Sequence, residues 1–320
     1  MNAPAEKRIL IAGATGYIGK AVVAELVRRG HSVTALVRQP TDVPDCQVVV
    51  TDLTDPETLT QSLQGASFDV VVSCIASRSG VSDDAWRVDH GANRNLLCIA
   101  REAGARQFLL LSAICVQRPK LAFQRAKLAF EAELTESGLD YTIVRPTAFF
   151  KSLSGQIQRV RAGKPFLVFG DGTETACKPI GEADLAEFMV DCMENTDARN
   201  AILPIGGPGA AITPREQGEM LFELTGMPPK FRSVSPRIFN FAAGLIAPVG
   251  MVWPAAARKA ELARIGHYYA TESMLVWDED RQQYDAEATP ETGRETLRDH
   301  YQRMLKHGLA GQELGEQKVF

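Results

Sequence analysis

The sequence predicts an α/β fold: a doubly wound parallel sheet, with a smaller, mainly helical C-terminal region. Three observations predict it. Over the first half of the 320 residues, short apolar runs alternate with helix-periodic segments, the rhythm of strands joined by covering helices. Some runs, such as Phe68-Asp-Val-Val-Val-Ser73, are too apolar to be half exposed, so both faces must be covered. A glycine turn, Gly13-Ala14-Thr15-Gly16-Tyr17-Ile18-Gly19, separates the first run from the first helical segment.

That turn is the most informative stretch. Ile9-Leu10-Ile11-Ala12 is long enough for one buried strand. From Lys20 to Arg29, Val22, Val23, Leu26 and Val27 recur at helical spacing, and Gly30 sits where a helix stop is expected. Ser32–Val37 is a second strand, ending at Arg38. Strand, glycine turn, helix, strand is a dinucleotide-binding βαβ unit, so the expected sheet is Rossmann-like. Glycine permits positive φ and a close backbone approach to a pyrophosphate, and the helix start offers free N–H groups and a favourable dipole. Gly13, Thr15, Gly16, Tyr17, Ile18 and Gly19 are therefore candidate cofactor ligands. The spacing G-x-x-G-x-x-G resembles that of extended and atypical short-chain dehydrogenases/reductases. NAD binders carry an acidic residue about 20 residues after the turn. Here Val37-Arg38-Gln39 stands in that place. An acid would repel a 2′-phosphate and a guanidinium can hold it bidentately, so the expected cofactor is NADPH, with Arg38 a ligand.

Composition narrows the class. Apolar residues at 45% and charged residues at 23% fit an ordinary globular enzyme. A net charge of −4 and the lack of a basic block give no reason to expect nucleic acid. The six cysteines form no C-x-x-C pair and no Cys/His cluster, so free, mostly buried thiols and no bound metal are expected. Uninterrupted apolar runs fall short of the ~18 residues of a spanning helix.

The remaining elements follow in order. Gln47–Thr51 is a third strand, ending at Asp52-Leu53. Asp55-Pro56-Glu57 opens a helix, with the aspartate as cap. Phe68–Ser73 is the fourth strand. Its end, Cys74-Ile75-Ala76-Ser77, runs beside the cofactor, since ligands lie at the carboxyl ends of such strands. A helix through Asn93–Arg101 leads to the fifth strand, Gln107–Leu111, and then Ser112. Leu121–Leu134 is helical, with Phe123, Lys127 and Phe130 on one face. Tyr141–Arg145 is the sixth strand, followed by Pro146-Thr147. Beyond about residue 150 the rhythm changes, so residues 1–150 are expected to bind the cofactor and 151–320 to form the substrate region, partly interleaved with the sheet. There Phe166–Phe169 leads into a glycine turn, and Glu182-Ala-Asp184 starts a helix. Ile202–Ile205 is a last short strand, and Thr213-Pro214-Arg215-Glu216 reads as a capping box.

Several blocks carry a closer resemblance. Val72-Ser-Cys-Ile-Ala-Ser-Arg78, Phe123-Gln-Arg-Ala-Lys-Leu128, Ile143-Val-Arg-Pro-Thr-Ala-Phe-Phe-Lys-Ser-Leu153, Cys177-Lys-Pro-Ile180, Leu203-Pro-Ile-Gly-Gly-Pro-Gly209, Tyr268-Tyr-Ala-Thr-Glu-Ser-Met-Leu275 and Gly311-Gln-Glu-Leu-Gly-Glu-Gln317 look like the divinyl (proto)chlorophyllide 8-vinyl reductases of chlorophyll and bacteriochlorophyll synthesis. The resemblance spans essentially the whole chain. It implies NADPH-dependent reduction of a vinyl group on a tetrapyrrole, in an enzyme of pigment synthesis. It also places Asp52, Leu53, Cys74, Ala76, Pro146 and Thr147 beside the cofactor. Plant members carry a chloroplast transit peptide. The short N-terminus here leads to the expectation of a bacterial, cytoplasmic protein. Contact with a membrane surface or another pigment-synthesis enzyme is a further option.

Many short-chain dehydrogenases carry Tyr-x-x-x-Lys on the helix after the fifth strand. Lys127 matches the lysine, and Phe123 stands where the tyrosine would be. Phenylalanine cannot give a proton, which argues against carbonyl reduction. Hydride attack on a conjugated vinyl group spreads charge into the macrocycle and needs no acid for an alkoxide. Lys127 is then expected to hold the nicotinamide ribose and favour the anionic transition state, with Ser112 reaching the same region. The plainer alternatives are an exposed Lys127 paired with Glu131, and a Ser112 that caps a turn. A chlorophyllide needs a broad apolar slot. Phe123, Phe149, Phe150, Tyr268 and Tyr269 are its candidate lining, with Phe239, Phe241 and Trp253 nearby in an apolar stretch from Ile238 to Pro254. His267 is a candidate axial ligand for the pigment's Mg²⁺, or a candidate acid. Two other readings stay open: a non-catalytic NADP-sensing regulator on the same fold, and a reductase of another conjugated alkene.

Overall fold

A computed structural model describes residues 5–239 and 253–308. The chain forms two compact units.

The first unit holds the residues up to Arg78, with Ser82–Arg145 and Glu182–Leu203. Its strands are β1 (Arg8–Ala12), β2 (Ser32–Val37), β3 (Gln47–Val50), β4 (Val70–Ser73), β5 (Gln107–Leu111) and β6 (Asp140–Pro146). They lie in the order β3-β2-β1-β4-β5-β6, with Ala201–Ile205 beyond β6 as a seventh strand. The six numbered strands pair in parallel, Ile11 lying opposite Ala35 on one side and Val72 on the other. The order reverses between β1 and β4, the crevice where such sheets take a ligand. All of β4 and β5 is buried, as strands covered by helices on both faces must be. One core joins Leu10, Val71, Phe108 and Leu110 to Leu96 and Phe130 from the covering helices.

Those helices are α1 (Tyr17–Arg28), α2 (Pro56–Ser62), α3 (Ser82–Ala85), α4 (Asn93–Glu102) and α5 (Ala122–Thr135). Helix α1 begins one turn earlier than the apolar spacing predicts, because Gly16 within the turn is itself the cap. Asp55 caps α2 as expected, accepting from the Glu57 and Thr58 amides. Between α3 and α4 runs a π-helical turn, Trp86–Ala92, which no apolar periodicity marks.

The second unit holds Ser79–Val81, Pro146–Gly181 and the chain from Pro204 onward. Phe166–Phe169 is a strand, paired in parallel with Phe231–Val234, and Val276–Asp278 pairs antiparallel with Gln283–Asp285. Helices span Pro214–Thr225, Pro254–Thr271 and Leu297–His307. Phe150, Val160, Leu221, Phe222, Tyr301 and Met304 fill their own core. The Thr213–Glu216 capping box forms as the sequence predicts. Phe241 and the block Gly311–Gln317 lie outside the described residues, as does most of the Ile238–Pro254 stretch. All six cysteines are free. Only Cys115, Cys177 and Cys192 are buried, fewer than expected. Among the described residues no helix is long and apolar enough to cross a membrane.

Candidate functional site

The glycine turn is fixed by backbone crowding. Gly13 has φ +86°, and a Cβ there would meet the Cys74 carbonyl oxygen at 2.6 Å. A Cβ on Gly19 would meet the Gly13 carbonyl oxygen at 2.0 Å. The Gly16 amide donates to that same oxygen at 2.9 Å. No side chain caps α1 and its first turn holds no acid, so its start is open to an anion. Thr15 and Gly16 are exposed there, while Ile18 is buried. The Tyr17 hydroxyl donates to Glu182.

At the carboxyl end of β2, Thr15, Val37, Arg38, Gln39, Thr41 and Arg78 line a polar cleft of about 320 Å³. Arg38 and Arg78 are both exposed, and among the described residues neither has a carboxylate partner. Two unneutralised guanidiniums and the Thr15 hydroxyl form a donor set for a phosphate, while the Thr41 hydroxyl donates to the Gln39 carbonyl at 3.0 Å. The residues present thus fit a phosphorylated dinucleotide. Arg78 was not singled out from the sequence. Its signal was a basic residue just past the β4 end, in the segment expected beside the cofactor.

The other expected cofactor contacts are varied. Asp52 accepts from the Thr54 amide and hydroxyl at 2.9 and 2.8 Å, bonds that hold its carboxyl below the usual range. Leu53 is buried, its carbonyl taken by Asn95. Cys74 is half-buried as a residue, but desolvation of its thiol pushes it up to about 12, so it stays a neutral thiol. Ala76 is exposed.

Phe123 and Phe130 are both buried on α5. Between them Lys127 does not pair with Glu131. Its Nζ lies 2.9 Å from Oδ1 of Asp89, a carboxylate with no exposed side-chain surface. Glu131 is itself buried and is taken by the Arg145 guanidinium and the Ser112 hydroxyl. The alternative of an exposed Lys127–Glu131 pair is thereby corrected: β6 supplies Glu131 with a better donor, and the π-helical turn supplies Lys127 with a better acceptor.

Within the second unit, Pro146 and Thr147 are buried, the Thr147 hydroxyl donating to the Lys178 carbonyl. Phe149 is half-buried. Phe150 has no exposed surface, and its ring packs tilted against His300, centroids 5.1 Å apart. Tyr268 is buried and meets Tyr269 edge-on at 5.7 Å, while Tyr269 is 41% exposed. Burial leaves Phe150 and Tyr268 no face to offer a ligand; Phe149 and Tyr269 keep one. Phe239 packs on Phe169 at 5.4 Å. His267 is half-buried on the Pro254–Thr271 helix.

Residues 13–196 match the NAD(P)H-binding family. A cucumber protein named divinyl chlorophyllide a 8-vinyl-reductase, chloroplastic, is 49% identical over 99% of this chain and 80% of its own length. Its namesake in Arabidopsis thaliana is 45% identical over 99% of this chain and 81% of its own. The chain belongs to the divinyl chlorophyllide a 8-vinyl-reductase family. The 8-vinyl-reductase relatives also correct the expected location. They are plant proteins named chloroplastic, so the reading of a bacterial, cytoplasmic protein falls. That reading rested on the short N-terminus, and this chain spans about four-fifths of those 8-vinyl-reductases, so where it starts says nothing of compartment. In fold this chain resembles an NADPH-dependent quinone oxidoreductase, QOR2, from Escherichia coli: TM-score 0.67, 19% identity, covering 93% of this chain and 99% of that one.

Proposed function

We propose that the chain reduces the 8-vinyl group of divinyl chlorophyllide a or divinyl protochlorophyllide a to ethyl, with NADPH as reductant. The reaction adds one hydride and one proton across the vinyl bond and leaves the cofactor oxidised. NADPH, when bound, supplies the hydride. Gly13, Gly16 and Gly19 let the backbone at the start of α1 approach its diphosphate. Arg38 and Arg78, with Thr15, hold its 2′-phosphate. Lys127 holds the nicotinamide ribose and places a positive charge where the reacting π-system becomes electron-rich. Ser112 fixes the carboxyl end of β5 through Glu131. Phe149 and Tyr269 offer their rings to the apolar pigment.

The observation that carries this reading is Phe123. It stands one turn before Lys127 and has no hydroxyl to give a proton, which suits an alkene whose charge delocalises and does not suit a ketone. Mixing the protein with NADPH and divinyl chlorophyllide tests it. The expected result is a small blue shift of the Soret band with matching loss of NADPH. NADPH binding without pigment conversion would favour a sensor. Conversion of other conjugated alkenes alone would favour a different reductase.

A further inference from the structure

We propose that Asp89 is a positioning residue for the reduction, holding the Lys127 ammonium at the carboxyl end of β4. This rests on the reductase reading above. Asp89 lies in the π-helical turn Trp86–Ala92, a local widening of a helix that recurs at functional sites. Two sets of bonds fix it. Its backbone carbonyl accepts from Asn93 Nδ2 at 2.9 Å, and Asn93 Oδ1 in turn accepts from Ser73, the last residue of β4. Its Oδ1 accepts from the Ser77 amide at 3.3 Å, in the segment that leaves β4. The same Oδ1 meets Lys127 Nζ at 2.9 Å. The carboxylate thus ties α5 to the strand end that faces the cofactor crevice.

A second observation concerns the other carboxylate oxygen. Asp89 Oδ2 is fully buried, and among the described residues it has no hydrogen-bond partner. A buried carboxylate oxygen without a donor is costly. It sits beside the Lys127 ammonium, whose positive charge offsets part of that cost.

The test is a double-mutant cycle on the full chain, with NADPH and divinyl chlorophyllide as substrates. D89N keeps the shape and the Ser77 bond but removes the charge that aligns Lys127. D89N and K127M are each expected to lower kcat/KM at least tenfold, and D89N/K127M to be no worse than K127M. Positioning predicts this lack of additivity, and a purely structural role does not. An active wild type with D89N within twofold of it overturns the inference, as does a double variant in which the two losses multiply. If D89N does not fold, D89N/K127M, which leaves neither charge alone, is expected to fold and match K127M. A double variant that also fails to fold makes Asp89 scaffold and overturns the inference. A wild type that cannot convert the pigment overturns the reductase reading, and this inference with it.

Discussion

The Ser112 hydroxyl donates to Glu131, and the same buried carboxylate takes the Arg145 guanidinium. This small network joins the end of β5 to α5 and β6. Removing one partner of a buried ion pair strands the other, at a cost of about 3–5 kcal/mol. Losing one hydrogen bond to a charged acceptor costs about 1.5–3 kcal/mol. Glu131→Ala is therefore expected to lower stability more than Ser112→Ala, as chemical denaturation would measure. Ser112 is only 5% exposed, so Ser112→Ala should lower kcat less than tenfold. A far larger kcat loss with stability intact would place its hydroxyl at the reacting atoms.

Arg38 and Arg78 face one cleft, and among the described residues no acid lines it to neutralise them. Each charge-assisted bond to a phosphate is worth about 1.5–3 kcal/mol, roughly a ten- to hundredfold effect on affinity. Arg38→Ala and Arg78→Ala should each raise the KM for NADPH by about tenfold or more, with kcat nearly unchanged. The KM for NADH, which lacks the 2′-phosphate, should barely move. An Arg78→Ala enzyme with wild-type KM for NADPH would remove that residue from the site.

Gly19 and Gly30 make a matched pair of alanine substitutions. At Gly19 a new Cβ would sit 2.0 Å from a backbone oxygen in the same turn. The turn must open, so Gly19→Ala should abolish NADPH binding and lower the melting temperature. Gly30 has φ +81° but open space around it. Its alanine variant should lose about 1–2 kcal/mol to backbone strain and keep its NADPH affinity. Cofactor fluorescence titration separates the two.

Much of this was legible in the residues. The βαβ unit announced itself because glycine spacing, apolar runs and helix stops agreed locally. Strands β2 and β5 fell on their predicted residues for the same reason. The π-helical turn did not show, since its register depends on the tertiary bonds Asp89 and Asn93 make rather than on local periodicity. Lys127 was found by position, but its acceptor lies 38 residues away in sequence, and helical spacing pointed instead to Glu131. Phe150 and Tyr268 looked like pigment contacts because large aromatic residues suit both a slot and a core. Only packing decides between the two.

His31 gives the protein an acid-side instability. Its ring has no exposed side-chain surface and lies 3.9 Å from Glu194. Its Nε2 has no hydrogen-bond partner among the described residues. Burial, reinforced by the Lys7 charge and only partly offset by Glu194, pushes its pKa below the ordinary histidine value. The folded state therefore favours the neutral ring, and the unfolded chain takes up a proton more readily. The stability from keeping the ring neutral is present above the unfolded value of about 6.5. It is lost as the pH falls through the lower folded value. Urea melts of the wild type should show stability dropping as the pH is lowered from about 7 to 5, over the range in which free histidine titrates. His31→Gln, which carries no titrating group, should flatten that part of the curve while leaving the fall from carboxylate protonation at lower pH. Equal slopes in the two proteins would mean that His31 is protonated as readily folded as unfolded.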